Sequence, residues 1–99
     1  MRVGAIAANR RRAGGALSIV TAPTTTGDDL VGERKYALHG TYNFTPDSYS
    51  MQWYRDGVAI TGETADNYLQ VDADAGHTIT FGEIAHKIGF LDAPLNMSA

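Results

Sequence analysis

Ninety-nine residues, 43% of them hydrophobic and 19% charged, make about one domain with a single modest core. There is no cysteine, which excludes disulfides and thiolate metal sites, and no apolar run approaches the ~20 residues of a membrane helix. The net charge of −3 is unevenly spread: Arg2, Arg10, Arg11 and Arg12 fall in the first twelve residues, while the rest carries four basic against eleven acidic residues.

The opening, "MRVGAIAANRRR", sets a short apolar patch before its arginines. A secretory signal has the reverse order and a longer apolar core, so the start predicts a protein made and kept without Sec export. Residues 1–16 are rich in Gly, Ala and Arg, with no period of 2 or 3.6. They read as an extended basic arm, disordered alone or ordered by a partner, on a globular body at 17–99.

"ALSIVTAP" begins the body with Leu17 and Ile19 on one face, and Pro23 limits it to an edge strand or strand end. "TTTGDD" reads as a turn. "ERKYALHGTYNF" alternates, with Tyr36, Leu38, Gly40 and Tyr42 on one side and Lys35, Ala37 and His39 on the other. "TPDS" ends that pattern near Phe44. "YSMQWYRDG" has the period-2 signature of a half-buried strand, Tyr49, Met51 and Trp53 against Ser50, Gln52 and Tyr54. Asp56-Gly57 predicts a tight hairpin, because glycine accepts positive φ without a Cβ clash. "VAIT", "YLQV" and "HTITFGEIA" are further strands. The apolar side shifts from Ile79 and Phe81 to Ile84, which predicts a bulge at Gly82. "IGFLDAPLNMSA" closes with a turn and a final strand. About seven short strands at roughly ten-residue intervals, with no good helix, predict an all-β antiparallel sandwich.

Trp53 has apolar neighbours in register, Tyr49 and Met51, which favours a core position over an aromatic platform. Tyr54 faces the other way and, with Tyr42, is the candidate for surface binding. "DADAG", 72–76, resembles half of a calcium loop but lacks the later bidentate Glu, so a structural corner is the preferred reading. His39, His77 and His86 show no metal-ligand spacing, leaving only a site assembled from distant histidines. There is no nucleophile elbow, P-loop or dinucleotide fingerprint. No enzyme, cofactor or metal is expected. The cluster Arg10, Arg11 and Arg12 could pair phosphates, but the acidic body and the lack of interleaved aromatics argue against nucleic acid. Contact with an acidic protein surface is preferred, since guanidinium pairs carboxylates well; a merely solvated arm is the alternative.

The stretch "YSMQWYRDGVAITGETADNYLQVDADAGHTITF" resembles the bacterial and phage immunoglobulin-like (Ig-like) domains. The matching residues are Trp53, Arg55-Asp56-Gly57, Ile60, Gly62, Thr64, Tyr68, Asp74, Gly76 and Ile79. The resemblance covers roughly 17–90 and departs from the family's pattern at the C-terminal end. It implies an Ig-like β-sandwich, with Trp53 pinned between the sheets and Asp74 and Gly76 turning a corner, the carboxylate bonding backbone N–H groups. It further implies a non-enzymatic structural or adhesive role. With the basic arm, it points to a phage virion protein made in the host cytoplasm, such as a capsid decoration or accessory protein. Its partners would be the major capsid or tail protein, or copies of itself. The alternative is an adhesive module binding host-surface polysaccharide through Tyr42, Tyr54 and the loops at 45–48 and 62–67. No membrane partner is expected.

Overall fold

The computed structural model describes residues 15–98. They form nine strands: β1 (Ile19–Thr21), β2 (Thr24–Thr26), β3 (Arg34–Leu38), β4 (Thr41–Tyr42), β5 (Ser48–Arg55), β6 (Val58–Ala59), β7 (Asn67–Leu69), β8 (Ile79–His86) and β9 (Asn96–Met97). A single 3-10 turn, Asp72–Asp74, is the only helical element among the described residues. All ladders are antiparallel: β1 with β4, β2-β3-β7, and β6-β5-β8-β9.

Nine strands replace about seven because one predicted strand is cut in two and one predicted turn contains a strand. Pro23, which has no N–H to offer a ladder, is buried between β1 and β2. The threonines expected in a turn are β2, and the turn starts at Gly27, φ 104°. Gly40 divides β3 from β4. A Cβ there would collide with the Thr21 carbonyl and lie 2.9 Å from the Asn96 amide, so only glycine lets the chain pass this close. At that crossing the alternation changes phase. Lys35 and Ala37 face inward and Tyr36 and Leu38 outward on β3, whereas Tyr42 turns in on β4.

The core follows from β5. Trp53 is fully buried, 5.1 Å from the Phe81 ring and 5.9 Å from Tyr68, and its indole N–H donates to the Ala65 carbonyl at 2.8 Å. Phe81 and Ile79 come from the four-stranded sheet. Tyr68 and Ala37 come from the three-stranded one, so the two sheets close over the tryptophan in a sandwich-like arrangement. A second apolar cluster, Leu17, Ala85 and Ala93, packs with Tyr42, Tyr49 and Phe90. The Asp56-Gly57 hairpin has φ 50° and 80° at its two central residues, both positive as a type I′ turn requires.

The β5–β8 ladder runs without interruption from Ser48↔His86 to Arg55↔Ile79, so the bulge predicted at Gly82 is absent. Ile79, Phe81, Glu83 and Ala85 all point inward, and Ile84 points out. The apparent shift in the apolar side arises because the third inward residue is a carboxylate. Gly82 serves the outer face instead: a Cβ there would lie 2.6 Å from Met97 Sδ and 3.0 Å from Tyr54 Cε1.

Candidate functional site

Asp74 and Arg55 build a buried corner. The Asp74 carboxylate accepts from Arg55 Nε at 2.6 Å, from the Tyr68 hydroxyl at 2.6 Å and from the Val71 N–H at 2.8 Å, and a terminal guanidinium nitrogen of Arg55 pairs with it at 2.6 Å. Burial pushes its pKa up, but the hydrogen bonds from Tyr68, Val71 and Arg55 outweigh that and hold it below the ordinary value. The carboxylate therefore bonds one backbone N–H and two side-chain donors. Gly76 follows in the left-handed region, φ 77°. Among the described residues, no group of three or more histidine and acidic side chains converges to hold a metal.

Glu83 sits between the two apolar clusters, fully buried. Its Oε1 is 2.6 Å from His39 Nδ1, and because a carboxylate only accepts, the ring nitrogen donates. Its Oε2 accepts from the Gly40 N–H at 2.9 Å and the Tyr42 hydroxyl at 2.7 Å. The His39 ring lies flat on Tyr49, with centroids 3.6 Å apart. Three donors satisfy the charge, and they tie β8 to the crossing between β3 and β4. Burial, above all, pushes the Tyr42 hydroxyl up to about 12; the Asn96 contact opposes this and Glu83 adds to it. Burial raises Tyr49 and Tyr68 as well. In an alkaline absorbance titration these three phenols should ionise above the ordinary tyrosine value of ~10, and Tyr42→Phe should remove the latest step. A Tyr42 that ionises like a free tyrosine would contradict the inward placement.

Of the two tyrosines singled out for surface binding, Tyr42 is half-buried and its hydroxyl donates to Glu83. Tyr54 stays on the outer face, beside Gly82. Arg10, Arg11 and Arg12 lie outside the described residues, but the root of their segment does not. Gly15 and Ala16, placed in the arm by composition, are already joined to the body. Leu17 N–H donates to the Leu91 carbonyl and Leu91 N–H to the Gly15 carbonyl, both at 2.9 Å. Asn43 grips the same root from the other side, donating its amide to the Ala16 carbonyl at 3.1 Å and accepting from the Ser18 N–H at 2.9 Å.

Two loops, 43–47 and 87–91, meet at this end. Asp47 N–H donates to the His86 carbonyl at 2.7 Å, and its carboxylate accepts from the Ile88 N–H at 2.8 Å. A turn closed by Phe90 N–H to the Lys87 carbonyl, with Gly89 at φ 84°, leaves Ile88 90% exposed. Exposed Phe44 leans on Phe90 with ring centroids 4.9 Å apart, exposed Leu91 adjoins, and Lys87 Nζ lies 5.5 Å from the Phe90 ring. The result is a braced apolar knob beside a cation, at the root of the arginine-bearing segment. Sequence reasoning missed it because Phe44 read as the end of a strand and Ile88 as the start of a closing turn, with no local signal to bring the two together. Its one signal was the Lys-Ile-Gly-Phe turn. The chain matches no known family model, no characterised protein and no solved structure.

Proposed function

We propose that this chain is an Ig-like β-sandwich serving as a non-enzymatic structural protein of a phage virion. It docks as a decoration or accessory subunit on the particle's capsid or tail protein. The fold reading is supported by the antiparallel sheets facing across Trp53 and by the Arg55–Tyr68–Asp74 corner at the positions of the resemblance. One observation carries the docking reading: Phe44, Ile88 and Leu91 stand exposed where residues 15–18 are clamped to the body. An apolar contact surface thus lies where the chain carrying the basic segment enters the body. Burying a side chain such as Ile88 on that partner stabilises the complex by roughly 1.5–3 kcal/mol, and the arginines add charge-assisted pairs with acidic groups.

The test is incorporation into purified particles. Deleting residues 1–14, or changing Ile88→Asp, should each lower the copy number at least ~10-fold, the equivalent of ~1.4 kcal/mol. Both variants should keep the wild-type melting temperature. Wild-type copy number in both would refute docking through this end.

A further inference from the structure

On the outer face of β5 and β8, three side chains outside the features described so far form a chain of hydrogen bonds. Ser50 Oγ lies 2.7 Å from His86 Nε2, and His86 Nδ1 lies 3.0 Å from Asp92 Oδ1. Asp92 accepts from Nδ1, so in the neutral imidazole Nδ1 carries the proton and Nε2 presents the lone pair that takes the Ser50 O–H. The order is nucleophile, base and orienting carboxylate, with both contacts at working distance. Ser50 is exposed and reachable.

We infer that Ser50 is an activated nucleophile that accepts an acyl group from a small activated carboxylic ester. In this step the Ser50 oxygen forms a bond to the ester carbonyl carbon while its proton moves to His86 Nε2. The bond from that carbon to the leaving alkoxide or phenolate oxygen then breaks. The leaving group takes the electron pair, the imidazolium returns its proton to solvent, and acyl-Ser50 remains. Nothing is oxidised or reduced. His86 is the general base, and Asp92 is a positioning residue that fixes its tautomer. Ser50 sits in the middle of the β5–β8 ladder, opposite Ile84, and not at a helix N-terminus or a turn that would gather two N–H groups into an oxyanion hole. The chemistry is therefore a single acylation, with slow release, and not rapid turnover.

The probe is 4-nitrophenyl acetate, added to the full chain. About one equivalent of nitrophenolate should appear in a burst, with one acetyl group mapped to Ser50 by peptide mass spectrometry. Ser50→Ala should abolish the burst. His86→Gln should slow it by ~10²-fold or more, the usual worth of a general base. Asp92→Asn should slow it and Asp92→Glu should restore it, a pattern that a merely structural role would not give. These side chains lie on the outer face, so each variant should melt as the wild type does. Acetylation confined to lysines, or a burst that persists in Ser50→Ala, would overturn the inference. Neither result bears on particle docking, which is read separately.

Discussion

Replacing Glu83 by alanine should cost about 3–5 kcal/mol of unfolding free energy, a large share of the ~5–15 kcal/mol that holds a small domain together. The carboxylate is fully buried and answers three donors, so its removal leaves the Gly40 N–H and the Tyr42 hydroxyl without their acceptor, and opens a void between the two apolar clusters. Glu83→Gln keeps the shape and one acceptor oxygen but turns an NH2 toward a donor, so it should cost less, about 1–3 kcal/mol. In a double-mutant cycle, Tyr42→Phe and Glu83→Gln should couple by about 0.5–3 kcal/mol, because the two groups touch. Urea denaturation of the four proteins measures this. Additive losses, or a Glu83→Ala protein as stable as wild type, would mean that Glu83 stands in water.

The second large effect is expected at Asp74. Asp74→Ala removes a carboxylate that accepts three hydrogen bonds and pairs with Arg55, and leaves the guanidinium and the Tyr68 hydroxyl facing a gap, a loss of about 3–5 kcal/mol. The same group predicts a pH dependence. Folding holds the Asp74 carboxyl below its ordinary value, so its contribution is complete above the unfolded aspartate pKa of ~3.9. It drains away as pH falls through the lower, folded value. Asp56, lowered by its 2.5 Å contact with His77, adds an exposed and weaker contribution of the same sign. Asp74→Asn has nothing to titrate there, so its stability should fall less steeply on acidification. Parallel acid limbs in the two proteins would show that the corner is not ionised as described.

Legibility differed from element to element for physical reasons. The alternation of Tyr49, Met51 and Trp53 reports an inward face directly, and Asp56-Gly57 reports its own turn, because both signals are local. Glu83 was legible only as a disturbance. Pattern reading assigns a charge to solvent, so an inward glutamate registers as a slip in phase, and the adjacent Gly82 suggested a bulge. What makes its burial tolerable comes from more than 40 residues away in sequence, in His39, Gly40 and Tyr42, and no local window contains them. Tyr36 and Leu38 misled in the opposite sense. Their apolar side faces out on β3, while Lys35 turns in and meets Asp29. The knob at Ile88 and the Ser50–His86–Asp92 chain are likewise products of pairing between distant strands.

All of this turns on which way β8 faces after Gly82. Cross-strand NOEs between β5 and β8 read that register residue by residue. The ladder predicts Gln52 opposite Gly82, Met51 opposite Glu83 and Ser50 opposite Ile84, continuing without a skip to Ser48 and His86. A one-residue skip at Gly82, with Ile84 opposite Met51, would put the isoleucine inside and the glutamate out, and would contradict the account.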